Sequence, residues 1–233
     1  MADFFLSLLQ IIIVNLVLSG DNAVVIALAC RNLNPELQKK AVFWGSFGAI
    51  GLRVILTVVA IWLLKIPFVQ VVGGLLLIWI AIKLLKGEEE ESHIGGGSSM
   101  VEALKTIIFA DLIMSLDNVI AVAGAANGNL LLVIIGLAIS IPLIIWGSQL
   151  LMKLMNRFPI IVLLGAALLG YTAGEMIVGD KVVGAFLEGI LPALHIILPV
   201  ALALIVIAVG NYLKRKAEKA RENKIGQDEP EIL

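Results

Sequence analysis

Charge is scarce in this sequence. Only 15% of its 233 residues are charged, where a soluble domain carries about 25%. The hydrophobic share is 60% and the mean hydropathy is +1.04, above the roughly 45–50% apolar content of soluble domains. A soluble globular domain is thereby excluded, and the chain reads as an integral membrane protein. Cysteine is almost absent. The single Cys30 rules out an internal disulfide and a cysteine-based zinc cluster, and reads as a small apolar residue at a helix end. The net charge of −1 gives no overall field for nucleic acid. The amino terminus, Met1-Ala2-Asp3, lacks the basic segment of a signal peptide. The apolar run behind it is longer than a signal core, so a retained helix is expected. There is no Gly-x-x-x-x-Gly-Lys-Ser/Thr stretch to bind ATP and no His-Glu-x-x-His. With no nucleophile–base pairing visible either, an intramembrane enzyme is not expected.

What the sequence has is long apolar runs. A span needs about 20 mostly apolar residues, and seven are expected, over 4–29, 41–64, 67–86, 104–125, 129–152, 159–178 and 189–212. Turn residues separate them: Asn32-Leu33-Asn34-Pro35, Ile66-Pro67, Asn127-Gly128-Asn129 and Phe158-Pro159. The one longer connection begins Gly87-Glu88-Glu89-Glu90-Glu91-Ser92-His93 and becomes rich in glycine and serine, which marks a flexible linker. The expected organisation is all-α. A first three-helix unit fills 1–86, the linker 87–103, a second three-helix unit 104–178, a seventh helix 179–213 and a charged tail 214–233.

Lysine and arginine set orientation. Arg31, Lys39 and Lys40 flank the first loop, Lys83, Lys86 and Lys105 the linker, and Lys153 and Arg157 the fifth loop; Lys214, Arg215, Lys216, Lys219 and Arg221 crowd the tail. The other loops hold at most Lys65 or Lys181. The expected topology has the amino terminus outside and the carboxyl terminus in the cytoplasm. Three spans per unit then set the two units in opposite orientations, as inverted repeats, which in transporters places the substrate near the bilayer midplane.

A repeated polar stretch supports the duplication. Asn15-Leu16-Val17-Leu18-Ser19-Gly20-Asp21-Asn22 returns 96 residues later as Asp111-Leu112-Ile113-Met114-Ser115-Leu116-Asp117-Asn118. At the same offset Gly51 falls on Gly147 and Arg53 on Gln149; with a small gap Gly73 falls on Gly165 and Lys83 on Glu175. In a helix, Asn15, Ser19 and Asn22 share one stripe, as do Asp111, Ser115 and Asn118. Asp21 and Asp117 stand about a third of a turn away, so they reach the same centre only if the backbone bends. Gly20 offers such a bend, whereas Leu116 in the second copy does not.

Ionisable side chains in a bilayer are costly and mark function. The doubled motif holds only oxygen ligands, a set suited to Mg²⁺, Ca²⁺ and Mn²⁺. The expected metal ligands are Asp21, Asn22, Asp117, Asn118 and Asp111, with Asn15, Ser19, Ser115, Arg53 and Glu175 as secondary candidates. Ser19 and Ser115 taken alone read more readily as interhelical glue. Arg53, about mid-span, reads as a partner for an aspartate when the ion is absent or as a structural salt bridge. Glu175 reads as a proton acceptor or an end ligand. Met114 could add a thioether favouring Mn²⁺, but reads more simply as packing. Lys83 reads as snorkelling, His195 as a packed helix residue, and the Glu88–Glu91 run with His93 as a solvated face.

The two Asp-Asn motifs, the seven spans and the acidic linker resemble the TerC family of integral membrane proteins, in its compact bacterial branch without soluble domains. The resemblance covers nearly the whole chain. It implies metal export, chiefly Mn²⁺ efflux, a role in supplying metal to exported proteins, and kinship with the LysE-like transporters. Carried over by position, it marks Asp21, Asn22, Asp117, Asn118 and Asp111 as the metal site. The expectation is a transporter exporting a divalent cation, Mn²⁺ first, as substrate across the bacterial inner membrane. Lipid is the other expected partner, a homodimer is left open, and no nucleic acid is expected. The alternatives are an exporter of a small organic solute and a membrane scaffold that transports nothing.

Overall fold

The computed structural model describes residues 2–63, 66–86, 97–125 and 130–228. The acidic run Glu88–Glu91, His93, Lys65 and the turn at Asn127-Gly128-Asn129 lie outside the described residues. Within them the chain forms nine helices and no strand: α1 Ala2–Leu18, α2 Gly20–Cys30, α3 Pro35–Leu63, α4 Val69–Lys86, α5 Gly97–Ala125, α6 Leu130–Arg157, α7 Ile160–Gly179, α8 Lys181–Ile190 and α9 Leu194–Asp228. An all-helical architecture is what apolar runs must adopt in lipid, because only a helix or a closed barrel satisfies its backbone internally.

Four single helices are long and apolar enough to cross a membrane: those over Pro35–Thr57, Leu131–Arg157, Ile160–Gly179 and Leu194–Leu213. The pair α1 and α2 makes a fifth candidate, bent by 48°. Helix α4 is apolar but shorter, and α5, which carries Glu102, Lys105, Asp111 and Asp117, is not among the candidates. The fold is thus that of a polytopic membrane protein with four to five spans by length and composition.

Local chemistry sets the helix ends. Asn34 accepts the Leu37 amide at 2.9 Å through its side chain, and Pro35 opens α3 where a missing N–H costs nothing. Arg31 donates to the Leu84 carbonyl at 3.0 Å, so a basic residue expected only to set orientation also ties the end of α2 to the last turns of α4. Lys83 does not merely snorkel; it pairs with Glu102 on α5.

The expected span 189–212 differs from the chain's course. A ten-residue amphipathic helix, α8, precedes α9, which begins only at Leu194. Asp180 caps α8 by accepting the Val182 and Val183 amides at 3.0 and 3.3 Å. The α8 face bearing Val182, Phe186 and Ile190 is exposed.

The largest core cluster joins α2, α4, α5 and α7 through residues such as Leu28, Leu77, Ile107 and Leu169. Helix α7 packs on α4 and α9, and α3 packs on α5. Close approach of α7 to α9 depends on Gly174, where any Cβ would collide with the Pro199 backbone. Gly73 and Gly165, matched in the two units, both lie at tight contacts, against Met176 and Val24 respectively.

Candidate metal centre

The first helix breaks where the polar motif begins. Helix α1 stops at Leu18, Ser19 takes φ −109° and ψ 8°, and α2 restarts at Gly20. The Ser19 carbonyl still accepts the Ala23 amide at 3.2 Å. The Leu18 carbonyl accepts instead from Asn118 Nδ2 of α5 at 2.9 Å. A break at this depth is tolerated where it lines a cavity, and nothing lies within 4 Å of where a Gly20 side chain would begin. The second copy does not break: α5 runs unbroken through Leu116, so the bend occurs in the first copy alone. Leucine is a strong helix former, whereas glycine yields readily.

The two polar stripes do face each other, and a guanidinium fills the space between them. Arg53 of α3 is 1% exposed. Its Nη2 pairs with Asp111 Oδ1 at 2.5 Å. Its Nε donates to Ser115 Oγ at 2.9 Å, and its Nη1 donates to Asn15 Oδ1 and Ser19 Oγ, both at 2.8 Å. Ser115 donates to Asp111 Oδ2 at 3.1 Å, and Ser19 to Asn15 Oδ1 at 3.3 Å. All four partners are buried. A planar fork with fixed donors suits such a convergent set better than a lysine. Arg53 therefore bridges the two motif copies and forms an ion pair with Asp111, as the sequence had left open between metal partner and structural bridge.

Beside this cluster lies a cavity of about 440 Å³ between the broken helix, α5 and α7. Asp21, Gly20, Leu18 and Val17 line one wall, Met114 and Asn118 a second, and Tyr171, Thr172, Glu175 and Met176 a third, with Leu168. Asp21 is turned so that its Oδ1 accepts the Asn22 amide at 2.8 Å. Among the described lining residues there is no lysine or arginine, so the cavity is anionic. Asp117 lies on α5, with its side chain outside the described part of the structure.

On the other side of Arg53 is a small void lined by Asn22, Val25, Ile26, Ala49, Ile107 and Asp111. Along α5 the order is regular: Ile107 and Asp111 at the void, Asp111 and Ser115 on Arg53, Met114 and Asn118 at the cavity. The eleven steps from Ile107 to Asn118 rise about 16 Å along the helix.

The expected ligands are thus divided. Asp21, Asn118 and Glu175 share the cavity; Asn22 and Asp111 share the void; Asn15, Ser19 and Ser115 hold Arg53. Among the described residues no three His, Cys, Asp or Glu side chains converge closely enough to hold a metal by themselves. A cation in the cavity would draw on two carboxylates, an amide, the Thr172 and Tyr171 hydroxyls and water. Sequence reasoning did not single out Tyr171, Thr172 or Met176; the signal was the polar Tyr171-Thr172 pair one turn before Glu175. Gln149, matched to Arg53 by the repeat, lines a separate apolar pocket with Phe43, Phe47 and Trp146.

Apolar helices, one of them broken, around a buried ion pair and an anionic cavity define a polytopic integral membrane protein. The sequence matches the family described as "Integral membrane protein TerC family" over residues 1–218, and the chain belongs to that family. It is similar to the "Uncharacterized membrane protein YjbE" of Bacillus subtilis (strain 168), 45% identical over 205 residues that cover 87% of this chain and 94% of that protein. The "Uncharacterized membrane protein YceF" of the same organism is 24% identical over 230 residues, covering 94% and 87%. The "UPF0053 inner membrane protein YoaE" of Escherichia coli (strain K12) is 24% identical over 177 residues, 67% of this chain and 34% of that protein. No solved structure matches the chain.

Proposed function

We propose that the chain is a secondary transporter that exports a divalent cation, Mn²⁺ first, across the bacterial inner membrane. The observation that carries this reading is the cavity at the helix break, where Asp21 and Glu175 face a common space with Asn118, Thr172 and Tyr171. Two carboxylates match the charge of one divalent ion, and oxygen donors suit Mn²⁺, Mg²⁺ and Ca²⁺. The Met114 and Met176 thioethers lining the same cavity are softer donors that favour Mn²⁺ among these three. Seven spans arranged as inverted repeats, amino terminus outside and carboxyl terminus in the cytoplasm, would place this cavity near the midplane. With no ATP-binding stretch, the driving force is an ion gradient or the membrane potential.

Export of a small organic solute is the less favoured reading. The cavity volume would admit one, but an amino-acid-like solute needs both signs of charge, and Arg53, the one cation nearby among the described residues, is committed to Asp111. The test is uptake of Mn²⁺, Mg²⁺ and Ca²⁺ into vesicles holding the purified protein. Mn²⁺ is expected to move fastest. Transport of no metal would leave the solute and scaffold readings standing and this one refuted.

A further inference from the structure

The polar cluster around Arg53 is well satisfied on one side and conspicuously unsatisfied on the other. Arg53, Ser115, Ser19 and the Asp111 carboxylate have partners throughout. Asn22 has none: it is 5% exposed, and both its Oδ1 and its Nδ2 are buried without a hydrogen-bond partner. Asn15 Nδ2, in a side chain with no exposure at all, is orphaned as well. Orphaned amides in a low-dielectric interior are costly and call for an explanation. Asn22 faces the small void, and Asp111 forms the void's other polar wall. The void has about 10 Å³ open to the centre of a water molecule, the room of a single water or ion. An amide oxygen and a carboxylate thus border a one-particle space, while the carboxylate's charge is spent on an arginine.

We propose that the Arg53 guanidinium is a tethered substitute for the transported cation. It occupies the Asp111 carboxylate in the empty carrier, and yields that carboxylate, with the Asn22 amide oxygen beside it, to a divalent cation in the loaded one. The inference rests on the export reading and adds how the empty carrier resets. The orphaned Asn22 amide is then a ligand waiting for the second state. With Arg53 on Asp111 this buried pair carries no net charge, so the Asp111 carboxylate does not hold the empty carrier back. Without the guanidinium, an uncompensated carboxylate sits deep in the membrane, where a lone charge is strongly disfavoured. Such a carrier crosses back only when a cation reoccupies it. It exchanges ions but does not move them net.

The experiment compares two modes in vesicles containing the full chain, with Mn²⁺ as probe. One is net efflux from loaded vesicles into metal-free buffer. The other is exchange of labelled internal Mn²⁺ for unlabelled external Mn²⁺. The ratio of the two does not depend on how much protein is folded. Arg53→Gln is expected to lower the ratio of net efflux to exchange by at least about tenfold, and Arg53→Lys to keep it near the wild-type value. The double variant Arg53→Gln/Asp111→Asn removes both charges, and is expected to bring the ratio back to within about twofold of wild type, since neither charge of the pair is then left alone. It also serves if Arg53→Gln alone fails to insert. An unchanged ratio in Arg53→Gln, a parallel loss of both modes in folded protein, or a double variant that exchanges without net efflux would each overturn the proposal. Wild-type vesicles that carry no Mn²⁺ in either mode would instead refute the export reading, and the inference with it.

Discussion

Replacing Asp111 by alanine should cost about 3–5 kcal/mol. The reason is what it leaves behind. Arg53 is the largest fully buried side chain among the described residues, and Asp111, at 2.5 Å, is the only carboxylate that ion-pairs with it there. Its remaining partners are two hydroxyls and an amide oxygen, which satisfy donors but carry no charge. A guanidinium cannot escape by losing its proton, so it must drag water in or unpack α3 from α5. Ser115 also loses its acceptor. Thermal unfolding of the purified protein in detergent is the measurement. Asp111→Asn, which keeps an acceptor oxygen, should lose less than Asp111→Ala. Equal losses in the two would mean that charge alone, and not hydrogen bonding, holds Arg53.

The second large effect is on metal affinity. Outer partners of metal ligands cost about 10–100-fold in affinity when removed, so a ligand itself should cost at least as much. Asp21→Ala should weaken Mn²⁺ binding by about 100-fold or more, and Asp21→Ala with Glu175→Ala should abolish it. Both residues border the cavity, and among the described contacts neither ion-pairs nor hydrogen-bonds with Arg53, so folding should survive. Asp21 accepts a hydrogen bond from the amide of its neighbour Asn22, and Glu175 is exposed. Calorimetric titration of Mn²⁺ into each variant, beside its unfolding temperature, separates loss of ligand from loss of fold. Wild-type affinity in the double variant would place the ion elsewhere.

Much of this was written in the chain at short range. Asn34-Pro35 opens α3 and Phe158-Pro159 precedes α7, because caps and proline act within a few residues. The break beside Gly20 was legible for the same reason, and Leu116 explains why α5 stays straight. Helix α8 was not seen. Its Phe186, Leu187 and Ile190 run on into the apolar residues of α9, and only Asp180 ahead of two valines betrays a new start. The centre was half legible. The stripes Asn15-Ser19 and Asp111-Ser115 followed from helical spacing. That the arginine between them pairs with Asp111, 58 residues away, depends on how α3 packs on α5, and no local pattern encodes that. Tyr171 and Thr172 escaped similarly, since which face of α7 meets the cavity is fixed by its contacts with α4 and α9.

The central claim is that a divalent cation sits between the broken first span and α7, and it is tested most directly by locating Mn²⁺ in the protein through its anomalous scattering. The account predicts a peak in the cavity bounded by Asp21, Asn118 and Glu175, reduced or absent in Asp21→Ala. A peak at the linker glutamates alone, with transport undiminished in Asp21→Ala, would contradict it.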